Sequence, residues 1–249
     1  MIADANLPPL SVASLIDHTL LKPEASEEEI ARLCAEARQF AFASVCVNPF
    51  WVPFAVRALE GAAKVCSTVG FPLGANDART KLAEAELALS HGAAELDMVI
   101  NIGALRSHQY QIAAKEIGDL AELAHSQSAI LKVILETCLL TDEEKITACR
   151  LAVEASADFV KTSTGFSKSG ATVEDVKLMR QCVGERVGVK ASGGIRSLEA
   201  LRLMLGAGAN RIGTSSGVQI MNELKGEPEQ KQPIPLSGAK VPGGTLEGY

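Results

Sequence analysis

The chain has 249 residues, of which 47% are hydrophobic and 22% charged, and its formal net charge is -6. That length suits one large α/β domain and the apolar fraction supplies a sizeable core, which argues against a disordered chain and against a polyanion-binding surface. No Lys/Arg-rich run, zinc-finger spacing or interleaving of aromatic with basic residues points to nucleic acid.

The opening "MIADANLPPLSVAS" has no basic region followed by a long apolar one, and no stretch reaches the roughly 18 apolar residues of a membrane span. The expectation is a soluble cytoplasmic protein without a membrane partner, with residues 1–13 as an N-terminal extension to a single domain. Six cysteines (34, 46, 66, 138, 149 and 182) are scattered without a CxxC pair, several of them inside apolar runs. This suits reduced, mostly buried thiols rather than a disulfide framework.

Eight strand-like apolar runs follow in chain order: Ile16 to Leu21, Ser44 to Asn48, Lys64 to Val69, Glu95 to Ile100, Leu131 to Glu136, Phe159 to Thr164, Val187 to Ala191 and Arg211 to Thr214. Helical periodicity fills the gaps. Ser26 with Glu29 and Thr141 with Glu144 have capping-box spacing, Thr172 and Ser197 suit N-caps, and Gly92 and Gly208 suit helix C-caps. Strict β/α alternation predicts a parallel sheet with right-handed crossovers, and eight units predict a closed (β/α)8 barrel. The alternative is an open doubly wound sheet, but the first strand-to-helix turn, "LLKPEAS", lacks its GxGxxG.

In such a barrel the catalytic groups sit at the C-terminal ends of strands, and the loops after strands 7 and 8 often hold phosphate. Lys161 interrupts the apolar strand 6 and Lys190 sits similarly in strand 7. Two ammonium groups side by side would depress one pKa and free a nucleophilic amine; the alternative is a pair of lysines snorkelling at strand ends. Asp97, inside "ELDMVIN", is a proton carrier or a structural partner of one lysine. Glu95 shares its parity but starts the strand, at the non-catalytic end, and Glu136 could orient other groups. Asp17 and Thr19 are candidates for substrate hydroxyls or for hydrogen bonds at the barrel rim. Cys46 is a buried small side chain or, at the site, a target for electrophilic aldehydes.

The loops "SGGIRS" (192 to 197) and "GTSSG" (213 to 217) present backbone N–H groups and helix N-termini suited to an anion. The histidines 18, 91, 108 and 125 show neither HxH nor HExxH, so a metal centre is not expected, and His18 reads as a packing or hydrogen-bonding residue. No GxSxG elbow supports a serine nucleophile.

Taken together, "LIDHTLLKP", "VCVNP", "TVGFPLG", "ELDMVIN", "LKVILET", "DFVKTSTGF", "VGVKASGGIR" and "RIGTSSG", in matching order from about residue 14 to 220, resemble the deoxyribose-phosphate aldolase family. The resemblance implies a class I aldolase of the (β/α)8 class that reversibly cleaves 2-deoxy-D-ribose 5-phosphate to D-glyceraldehyde 3-phosphate and acetaldehyde, with no metal or other cofactor. It implies Lys161 as the Schiff-base residue, Lys190 as the second lysine and Asp97 as the proton-shuttling aspartate. Phosphate contacts fall on Gly165, Gly193, Gly194, Arg196, Gly213, Ser215 and Ser216. Phe166 stands where some members carry a phosphate-facing lysine, which leaves Lys168 as the neighbouring cation. Family members tend to end in a mobile tail with a C-terminal tyrosine, and here the tail from about residue 227 ends in Tyr249, which either enters the site or is simply a disordered end. The expected partners are a small phosphorylated sugar and acetaldehyde, and any assembly is expected to be a homo-oligomer, a dimer before others. The rival readings are a Schiff-base barrel aldolase for another phosphorylated sugar and a non-catalytic sugar-phosphate-binding protein.

Overall fold

The computed structural model describes residues 9–226. Eight parallel strands close on themselves in chain order: β1 (Ile16–Leu20), β2 (Ser44–Val47), β3 (Lys64–Val69), β4 (Glu95–Val99), β5 (Ile130–Ile134), β6 (Phe159–Lys161), β7 (Gly188–Ser192) and β8 (Arg211–Thr214). The barrel, not the open sheet, is the fold, and β1 pairs with β8 through Asp17 and Gly213 to complete it.

Strands alternate their side chains between two faces, and here the faces differ in kind. Val45, Val65, Leu96, Met98, Val133, Val160, Val189 and Ile212 join the buried apolar cluster packed against the helices. The intervening positions bring buried Asp17, Glu95, Asp97, Lys132, Lys161 and Lys190 together inside the barrel. The hydrophobic core is therefore the annulus between sheet and helices.

The helices start where the sequence indicates. Ser26 and Thr141 form complete capping boxes with Glu29 and Glu144, while Thr172 and Ser197 accept the N–H groups of Asp175 and Ala200. Gly92 and Gly208 follow helix ends with φ of +98° and +110°, a region only glycine enters cheaply. Val12 and Ala13, expected in an N-terminal extension, are instead buried at the end of the short helix Pro9–Ala13, which packs on the C-terminal helix Gly217–Lys225.

Two strands end two or three residues earlier than the apolar runs suggest. β5 stops at Ile134 because Glu136 turns into the left-handed region at φ +56°. β6 stops at Lys161, after which the Thr162 hydroxyl donates to the Ser192 carbonyl and accepts the Ser192 N–H, so a side chain replaces the ladder.

Candidate active site

Three lysine side chains converge on one carboxylate. Asp97 Oδ2 accepts hydrogen bonds from Lys161 Nζ and Lys190 Nζ, each at 2.7 Å, and Oδ1 accepts one from Lys132 Nζ at 2.7 Å. The register explains the meeting, since Asp97 pairs with Lys132 across β4 and β5, and Lys161 with Lys190 across β6 and β7. Neither Lys161 nor Lys190 snorkels; both are buried, and only Lys161 of the three lysines lines the cleft above them.

A second tier lies beneath. Lys190 Nζ is 2.5 Å from Asp17 Oδ2, Lys132 Nζ is 2.7 Å from Glu95 Oε2, and Arg211 donates to Asp17 Oδ1 at 2.7 Å and to Glu95 at 3.3 Å. Burying charge is expensive, and only this mutual pairing offsets it. Burial alone would raise the Asp97 carboxyl, but Lys132, Lys161 and Lys190 outweigh it and hold the group well below the carboxylate range. Asp17 is lowered in the same way by Lys190, Lys132 and Arg211. Burial likewise works against protonated Lys190 and Lys132, yet the carboxylates beside them hold both above the usual lysine range. The resting state thus holds Asp97 and Asp17 as carboxylates and Lys132 and Lys190 as ammonium groups.

The structure decides between several of the readings the sequence left open. Asp17 does not reach a substrate hydroxyl: its carboxylate is fully buried and is committed to Lys190, Arg211 and the Ser44 hydroxyl. Glu95, assigned to the non-catalytic end, does lie on the lower tier, but inside the barrel as a partner of Lys132 rather than at an idle rim. Cys46 lies 3.9 Å from Asp97 Oδ2, buried and outside the cleft lining. Lys132 and Arg211 went unread because "LKVIL" and "RIGT" scan as plain strands; the available signal was a lysine of the same inward parity in three successive strands, Lys132 two residues below the level of Lys161 and Lys190.

The sulfurs of Cys46 and Cys66 and an Asp97 oxygen come within 4.8 Å of one another, a spacing that could hold a metal ion. Lys132 donates to Cys66 Sγ at 3.2 Å and to Asp97 at 2.7 Å, so ammonium groups already occupy the positive end of this cluster. A divalent cation there would have to displace them against their charge.

The cleft opens from Lys161 towards the loops after β7 and β8. Gly193 and Gly194 adopt φ of +90° and +80°, and with Gly165, Arg196, Gly213 and Ser215 they line it. Ser216 does not line the cleft; it stands at the start of the helix Gly217–Lys225 and donates its N–H to the Thr214 hydroxyl. The glycine turn is braced from behind by the loop after β6, since Ala171 N–H bonds the carbonyls of Ser192 and Gly193, and a Cβ on Gly170 would sit 2.1 Å from the Gly193 oxygen. Glu136 accepts the N–H and hydroxyl of Thr164 and so sets the approach to Gly165. The Ser192 hydroxyl is buried, Ser192 lines the cleft, and among the described residues the hydroxyl has no hydrogen-bond partner, an orphan whose cost a ligand would relieve.

Thr19 lines the cleft while its hydroxyl donates to the Asp17 carbonyl at 2.8 Å. Phe166 lines it as well, half exposed and edge-on to Phe71. Lys168 is not in the lining, whereas Lys22, from the loop after β1, is. His18 packs as expected, with Nε2 2.6 Å from Glu36. Tyr249 and the tail from residue 227 lie outside the described residues.

Residues 11–222 match the DeoC/LacD family aldolase. The chain is 58% identical over 218 residues to a deoxyribose-phosphate aldolase of Caldanaerobacter subterraneus, spanning 87% of this chain and 94% of that one. It is 59% identical over 213 residues to one of Streptococcus sanguinis, spanning 85% and 94%. Its fold superposes with a TM-score of 0.82, at 38% identity, on a deoxyribose phosphate aldolase from Aeropyrum pernix described as uniquely tetrameric, covering 88% and 92% of the two chains. Among the described residues no helix is long and apolar enough to cross a membrane.

Proposed function

This chain belongs to the DeoC/LacD family of aldolases, and from that premise we propose that it reversibly cleaves 2-deoxy-D-ribose 5-phosphate to D-glyceraldehyde 3-phosphate and acetaldehyde, with Lys161 as the covalent residue. The observation that carries the assignment is the sharing of Asp97 Oδ2 by Lys161 and Lys190 at 2.7 Å each, at the floor of a cleft rimmed by glycine turns.

The chemistry sets the demand. Breaking the C2–C3 bond leaves an electron pair on C2, which needs a sink. The neutral amine of Lys161 adds to the open-chain aldehyde at C1, and loss of water gives a protonated imine that accepts the pair as an enamine while the C3 hydroxyl loses its proton and becomes the aldehyde of the triose phosphate. Protonation at C2 and hydrolysis then release acetaldehyde and restore the amine.

The formal charges inside the barrel balance without a proton on Lys161. Asp17, Glu95 and Asp97 supply three negative charges, and Lys132, Lys190 and Arg211 already match them. A proton on Lys161 would add an unmatched buried charge. Asp97, kept ionised by its neighbours, passes protons between Lys161 and Lys190 without storing one, and Lys190 holds the proton that dehydration consumes.

The other end of the substrate is anchored. The turn at 193–194 and the loop at 213–215 form an anion cradle, with Arg196 and Lys22 as its cations and the Ser192 hydroxyl as an added donor. Six unpaired cysteines suit a reducing cytoplasm. A homodimer is the proposed assembly, and light scattering separates it from the tetramer described for the Aeropyrum relative.

Borohydride reduction in the presence of acetaldehyde tests the covalent step. Mass spectrometry is expected to find a reduced two-carbon adduct on Lys161; an adduct confined to Lys190, or none in enzyme that cleaves the substrate, overturns the assignment.

A further inference from the structure

Glu95 and Lys132, both fully buried, transfer no proton in the steps above. Glu95 and Lys132 pair at 2.7 Å beneath Asp97, and Lys132 is the link between tiers because its ammonium also holds Asp97 Oδ1 at 2.7 Å. From this geometry we propose that Glu95 and Lys132 are positioning residues that set the protonation of Lys161 by fixing the formal charge of the barrel interior. The inference rests on Lys161 being the nucleophile.

Every strand contributes to this interior. Asp17 comes from β1, Glu95 and Asp97 from β4, and the cations Lys132, Lys161, Lys190 and Arg211 from β5 to β8 in turn. The thiols of Cys46 and Cys66 face the same space from β2 and β3 and are neutral while protonated. With Lys161 unprotonated, three cations balance three carboxylates. Water cannot screen a change in that sum, because only the Arg211 side chain in the lower tier is measurably exposed, at 15%. Adding or removing one charge below Asp97 is therefore felt by Lys161, which shares Asp97 with Lys132.

The sign is fixed by the count. In Lys132→Met the interior with neutral Lys161 carries one excess negative charge, so Lys161 keeps its proton to higher pH. In Glu95→Gln it carries one excess positive charge, so Lys161 gives up its proton at lower pH. The double substitution restores the balance.

The test is the pH dependence of the rate at which acetaldehyde and borohydride label Lys161 in the full-length protein and the three variants. The acid limb is expected to move by about one pH unit towards alkali in Lys132→Met, towards acid in Glu95→Gln, and back to its original position in the double variant. A general loosening of the barrel would move both single variants the same way. Unchanged limbs, or shifts of equal sign, overturn the proposal. Should Lys132→Met fail to fold, as circular dichroism would report, the direction of the shift in Glu95→Gln still decides between these outcomes. Absence of Lys161 labelling in the wild type at every pH would instead sink the nucleophile assignment.

Discussion

Lys22 shows how one exposed side chain can carry a role that a buried one cannot. It lines the cleft from the loop after β1, together with Arg196 and Gly194 from the loop after β7, while Phe166 offers no charge from the loop after β6. A phosphate dianion held by backbone N–H groups alone would leave much of its charge unmatched. A charge-assisted hydrogen bond contributes about 1.5 kcal/mol or more, which corresponds to roughly tenfold in binding. Lys22→Ala is thus expected to raise KM for deoxyribose 5-phosphate by about tenfold with kcat little changed. Steady-state kinetics with unphosphorylated 2-deoxyribose supply the contrast: an equal loss on both substrates would show that Lys22 does not meet the phosphate.

At the level of elements, the loop after β3 is held by a second buried ion pair outside the barrel interior. Lys81, on the helix Ala78–Ser90, donates to Glu116 at 2.9 Å and to the Val99 carbonyl at 2.8 Å, and its stem would meet a Cβ on Gly70 at 2.7 Å. Glu84 of the same helix accepts the Gly70 N–H. These contacts place Phe71 against Leu21 and Cys46 beside the cleft. Burial pushes the Glu116 carboxyl up and the Lys81 ammonium down despite their pairing, so desolvation outweighs attraction here, the reverse of the barrel interior. Lys81→Met alone leaves Glu116 uncompensated and is expected to cost about 3–5 kcal/mol, whereas Lys81→Met with Glu116→Leu should fall within about 1 kcal/mol of wild type. Denaturant unfolding measures both, and a double variant as unstable as the single one would contradict the desolvation account.

For the whole molecule the barrel interior links stability to pH. Asp97 and Asp17 have depressed folded values, so their contribution is present above the ordinary carboxyl value of 3.8 and is lost as pH falls below it. Lys132 and Lys190 have raised folded values, so theirs is complete below the ordinary lysine value of 10.5 and is lost as pH rises through the raised values. Thermal unfolding should show a plateau between those limits with a fall at each end. A melting temperature that climbs steadily on acidification through pH 4 would mean that the carboxylates do not carry their share.

The sequence by itself determined the barrel, because the two-residue period of each strand, the capping pairs at Ser26 and Thr141 and the eightfold alternation are local signals written in adjacent residues. It also determined the pairing of Lys161 with Lys190, since both follow matching apolar runs on successive strands. Only the tertiary structure decided that Lys132 is a third cation on Asp97, that Asp17 and Glu95 are interior counter-ions, and that Lys22 rather than Lys168 reaches the cleft. Parity divides a strand into two faces, but it does not say which face turns inward or how deep each residue sits. Closure of the sheet fixes both. Only then does a lysine in an apolar run become either a cost or a working group, according to which carboxylates the neighbouring strands bring within reach.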